Sequence, residues 1–158
     1  MCWMCDHPNA TREDYLDHIG RLIDECGWAV QAVERYRFRP PYAYTIGLTA
    51  YRKPELIVTG LPARRSAWLL NDVATHILHA EEPRAGEPIP LVDGPLIQIL
   101  EVDVPGAHLP LVSGFFDGEF RALQVVHADD RGKWPWEVGY RGVRGGQPVL
   151  GARSRDSA

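Results

Sequence analysis

The sequence predicts an α+β domain, a mainly antiparallel sheet of five or six strands with two main helices packed on one face. Three observations predict it. Two stretches repeat apolar residues at helical spacing, 11–27 and 63–80. Several short runs rich in β-branched and aromatic residues are bounded by proline and glycine. Two of those runs are joined by only six residues, Thr49 to Pro54, which favours antiparallel neighbours over a crossover.

The first helix is read from Thr11 to Gly27. Thr11 and Asp14 stand at capping-box spacing. Tyr15, Leu16, Ile19, Leu22, Ile23 and Cys26 form one apolar face, which places Cys26 on the buried side. Gly27 supplies the left-handed stop. Trp28 to about Arg37 alternates as a strand, with Trp28, Val30 and Ala32 on one face, until Arg39-Pro40-Pro41 ends it. Tyr42–Leu48 and Glu55–Gly60 are the next two strands. Leu61-Pro62 opens the second helix, whose inner face carries Trp68, Leu69, Leu70, Val73, Ala74, Ile77 and Leu78. Residues 82–95 hold four prolines and two glycines and read as a loop. Leu96–Val104 and Glu119–His127 are strands, and residues 109–116 read as a loop or a short helix. Pro135 excludes a regular central strand around Trp134-Pro135-Trp136. Residues 1–140 thus form a single globular domain, and residues 141–158, rich in glycine and arginine, a flexible tail.

The totals narrow the function. A chain of 158 residues with 45% hydrophobic and 24% charged residues folds around one core. A net charge of −4 argues against a general nucleic-acid partner, which needs a basic stripe. No apolar run is long enough to span a membrane. No charged segment followed by an apolar one opens the chain, so a cytoplasmic setting with reduced thiols is expected.

The segments resemble a bacterial family, the domain of unknown function DUF4262. The resemblance rests on Cys2-x-x-Cys5, Gly27-Trp28-Ala29-Val30, Pro41 to Leu48, Pro54-Glu55-Leu56 through Thr59-Gly60-Leu61-Pro62, Leu70-Asn71 and Pro135-Trp136-Glu137. It spans residue 2 to about residue 140 and implies no catalytic residues.

Two constellations carry chemistry. Cys2 and Cys5 have the spacing with which two thiolates grip one ion, and structural zinc takes four such ligands. Cys26 is the third thiol, and His7 the nearest fourth ligand, which makes zinc the expected cofactor. His18 cannot join Cys26, since eight helical residues separate them by about 12 Å. A redox role for the thiols is the competing reading. Asp6 follows Cys5, so the pattern of covalent haem attachment is excluded. The second constellation is Trp134, Trp136 and Glu137 with His127. The tryptophans, with Tyr44, would wall a small-molecule pocket, and His127 and Glu137 would act as acid and base. His76 and His79 sit three residues apart on the second helix, where imidazoles at a C-terminus are favourable without any ligand. Arg64-Arg65 opens that helix against its dipole, which hints at an anionic ligand. The expected function is a metal-stabilised domain, with a small-molecule enzyme or a partner-binding module as the alternatives.

Overall fold

The structure is a computed structural model and describes residues 3–142 and 145–153, with the backbone alone at Met4 and Cys5. After a single helical turn, α1 (Trp3–Asp6), comes α2 (Arg12–Cys26). Thr11 caps α2 as its spacing predicts. Its side chain accepts from Asp14 N, and the Asp14 carboxylate accepts from Thr11 N at 2.7 Å. Gly27 closes the helix at φ 91°, a conformation in which a side chain is strained.

Six strands follow: β1 (Ala29–Val33), β2 (Tyr42–Ile46), β3 (Glu55–Thr59), β4 (Ile89–Pro90), β5 (Leu96–Glu101) and β6 (Ala122–His127). They form one sheet in the order β1-β2-β3-β6-β5-β4. All pairs are antiparallel except β3 with β6, which runs parallel in the register Glu55–Ala122, Leu56–Leu123, Ile57–Gln124. The short link predicted between β2 and β3 does join antiparallel neighbours, through a 3-10 turn at Leu48–Tyr51. β4 lies inside the predicted loop. Two residues with a proline make no periodic signal, and an edge strand tolerates Pro90 because no partner needs its missing N–H.

The two main helices lie on opposite faces of the sheet, which corrects the one-face expectation. The alternation of the strands separates their side chains. Ala43, Leu56, Val58, Leu123 and Val125 pack with Leu69, Leu70, Val73 and Ile77 of α3 (Ala63–His79). Tyr44, Ile46, Ile57 and Ala122 face the other way, onto Ile19 of α2 and onto Leu109 and Val112. Leu109 follows the short helix α4 (Pro105–His108), and Val112 begins a 3-10 turn. Both faces of the sheet are therefore covered, and β2, β3 and β6 are almost wholly buried. At about 1.5–3 kcal/mol for each large side chain taken from water, these two layers supply the driving force for the fold.

The segment 147–150 runs along β6 on the α2 face of the sheet, from His127 towards Asp103. Pro148 O accepts from Thr59 Oγ1 at 2.8 Å and from Gln124 Nε2 at 2.7 Å. Leu150 N donates to Gln124 Oε1, and Leu150 O accepts from Asp103 N. Gln147 is buried and pairs with the backbone of His127: its Oε1 accepts from His127 N and its Nε2 donates to His127 O.

Candidate functional site

β3 and β6 run side by side, so their C-terminal ends, Thr59 and His127, open at the same edge of the sheet. Ligands of sheets with parallel strands bind outside such ends, because the connections diverge there and leave a crevice. A cleft of about 740 Å³ stands there on the α3 face. α3 supplies one wall with Arg64, Arg65 and Trp68, and the loops before β5 and after β6 supply the other with Asp93, Gly94, Asp129 and Asp130. His127 lies at its base.

The start of α3 is unsatisfied. Pro62 stands at the N-cap and offers no side-chain acceptor, and the first helical bond runs from Ser66 N to Pro62 O. The N–H groups of Ala63, Arg64 and Arg65 therefore have no hydrogen-bond partner among the described residues. The Arg64 and Arg65 side chains are exposed and make no ion pair among the described residues. The backbone N–H groups of Arg64 and Arg65 and their two guanidinium groups thus belong to residues on one rim. Trp68 is 46% exposed, and its indole is seated on Gly94: a Cβ there would stand 2.9 Å from Trp68 Cη2.

On the loop wall, the Asp129 carboxylate accepts from the backbone N–H groups of Arg131, Lys133 and Arg141. Those bonds, that of Arg141 foremost, hold its carboxyl below the usual carboxylate range. Asp129 therefore folds the loop that follows β6, and Asp93 and Asp130 remain to meet a ligand.

His127 is 7% exposed. Its Nε2 lies 3.1 Å from Thr59 O, which can only accept, so Nε2 carries the proton and Nδ1 faces the Gln147 amide. Burial, reinforced by the nearby Arg65 cation, lowers its pKa from the ordinary value and keeps the ring neutral. Nε2 is held by Thr59 O, whereas the Gln147 amide at 3.5 Å from Nδ1 spends its two hydrogens on His127 O and the Tyr140 hydroxyl.

The structure does not bring Glu137, Trp134 and Trp136 to the cleft that holds His127. Glu137 caps its own turn, with Oε2 accepting from Trp134 N at 2.7 Å. Trp134 and Trp136 stack on each other with centroids 5.9 Å apart, and the Arg153 guanidinium covers Trp136 at 4.6 Å. Tyr44 is a core residue, 1% exposed, with its hydroxyl accepting from Leu111 N. Burial raises its pKa, so it stays a neutral phenol.

Of the predicted metal ligands, Cys2 and the side chain of Cys5 lie outside the described residues. Cys26 is exposed rather than on the buried face, since it occupies the last turn of α2, beyond the part that packs on the sheet. His7 is at the opposite end of that helix. Its ring stacks on Trp3 at 4.2 Å, and Trp3 stacks in turn on His18 at 4.8 Å. Eight helical residues, about 12 Å, separate His18 from Cys26. Among the described residues no three His, Cys, Asp or Glu side chains are grouped to hold a metal, and His76 and His79 are exposed.

Two polar groups that sequence reasoning missed organise the central strands, Glu55 at the start of β3 and Gln147 at the end of β6. Glu55 is fully buried, and its carboxylate accepts from Thr45 Oγ1, Gly47 N, Thr49 N and Thr49 Oγ1 at 2.6 to 3.0 Å. The signal was a lone acid between Pro54 and the apolar run Leu56-Ile57-Val58. Gln147 had no signal at all.

These features define a small α+β domain with a cleft lined by arginine on one wall and aspartate on the other, at the open ends of a parallel strand pair. The family model for the domain of unknown function DUF4262 matches residues 22–141, and the chain belongs to that family. No curated protein and no solved structure matches the chain. No described helix is long and apolar enough to cross a membrane.

Proposed function

We propose that this is a ligand-binding domain that holds a small phosphorylated, hydroxyl-bearing molecule in the His127 cleft. The observation that supports this most is the start of α3, where two exposed arginines line one rim and neither their backbone N–H groups nor their guanidinium groups have a partner among the described residues. Placing two cations at a positive helix end is locally unfavourable, and a bound anion turns that cost into affinity. Asp93 and Asp130 supply acceptors for ligand hydroxyls on the loop wall, and the exposed indole of Trp68 offers an apolar contact between the two. His127 supports the wall, with its Nε2 tied to Thr59 O.

Calorimetry with glycerol 3-phosphate, inorganic phosphate and glycerol tests this reading. The expected order is glycerol 3-phosphate first, phosphate weaker and glycerol not at all. Arg64→Gln with Arg65→Gln should weaken the first about tenfold or more, as expected for lost charge-assisted hydrogen bonds. Equal binding by the double variant, or no heat from either phosphate, would contradict it.

A further inference from the structure

We infer that the domain carries a second small-molecule site, on the opposite face of the sheet, for a monocarboxylate with a short apolar body. This cleft encloses about 340 Å³, within the range of small-ligand pockets. Its floor is Ile57 and Leu150, with Pro40 and Pro148 at the sides, and Ala107 of α4 stands over it. The polar side chains that reach it can all donate a hydrogen bond. Arg39, His108 and Tyr42 line the cleft, and none of their side-chain polar groups has a hydrogen-bond or ion-pair partner among the described residues. Thr59 also lines it, but its hydroxyl already donates to Pro148 O and accepts from Gln124 Nε2.

Among the described residues no aspartate or glutamate contributes to this lining. A guanidinium, a phenol and an imidazole around an apolar floor, with no acidic side chain, match an acceptor-only head group on an apolar body. A carboxylate meets that description, and its planar pair of oxygens suits the guanidinium fork. The volume admits a ring or a short chain rather than a long acyl tail. The site does not depend on the phosphate reading, because it shares no lining residue with the His127 cleft.

The wall is also preformed. Ile57 lies in the central strand β3, Tyr42 stacks on buried Tyr44 with ring centroids 6.2 Å apart, and Pro148 and Leu150 are tied to Thr59 and Gln124. Only Arg39 and His108 need to adjust, so little ordering entropy opposes binding.

An amide-resolved NMR titration with benzoate, with benzamide as its uncharged isostere, tests the inference on the full chain through the millimolar range. Benzoate should perturb the amides of Tyr42, Ile57, Ala107, His108 and Leu150 in a saturable way. Benzamide should bind about tenfold more weakly or worse, and Arg39→Gln should weaken benzoate by a similar factor. Ala107→Trp, a change at an exposed position, should fill the cleft and abolish the perturbation while the dispersed spectrum shows the fold intact. No perturbation of these amides, a response confined to Arg64 and Arg65, equal affinity for benzamide, or indifference to both variants would each overturn the inference.

Discussion

The two ends of β3 place buried polar groups in opposite circumstances. At the N-terminal end, Glu55 is sealed in with four donors, one from β2 and three from the β2–β3 connection. At the C-terminal end, Thr59 meets Gln124, Pro148 and His127, and that network lies between two clefts. A buried charge survives only when its hydrogen bonds are complete. The Glu55 cluster meets that requirement with no group left over, so its role is to hold the connection. The other end is complete at its centre, but at its margins it leaves donors without partners. Buried polarity alone therefore does not identify a binding site; partnerless donors beside a cleft do.

The sharpest way to break the comparison is at Glu55. Glu55→Ala strands four donors in the core and should cost about 3 kcal/mol or more of stability in urea denaturation, without touching ligand binding in molecules that remain folded. Gln147→Ala should cost about 2 kcal/mol, because it leaves the His127 N–H and C=O without their partner. Gly94→Ala forces the Trp68 indole off its seat and should cost about 1 kcal/mol, with a shift in tryptophan emission as the local readout. The pH dependence follows from His127. Its folded pKa lies below the unfolded value, so the unfolded state binds more protons, and stability should be full above about pH 6.5 and decline as the pH falls below it. His127→Gln should flatten that part of the profile. The smallest effect on stability is expected at Arg64 and Arg65. Replacing either by Gln should change it by less than about 0.5 kcal/mol, towards a gain, since a cation leaves a positive helix end.

The two ends of β3 also differ in how far the sequence disclosed them. Local chemistry was readable: the Thr11–Asp14 box, the Gly27 stop and the alternation of Trp28, Val30 and Ala32 all depend on neighbours a few residues apart. The side of the sheet that each helix takes was not, because alternation says only that two faces exist. His127 was singled out as a histidine near other functional groups. Its partners came instead from Thr59, 68 residues earlier, and Gln147, 20 residues later, while Glu137 turned inward to cap its own turn. Arg64-Arg65 hints at the cleft from sequence, because a placement that opposes the helix dipole is a local conflict. The Gln147–Leu150 segment has neither periodicity nor a motif, and only long-range hydrogen bonds fix it.

The most direct test of the central claim follows the N–H groups at the start of α3 that have no partner among the described residues. On addition of glycerol 3-phosphate, the amide resonances of Ala63, Arg64 and Arg65 should move together with the Trp68 indole, while those around Glu55 stay still. If the α3 amides stay in place while the ligand binds elsewhere, or if nothing moves, the cleft at the open end of β3 is not the binding site.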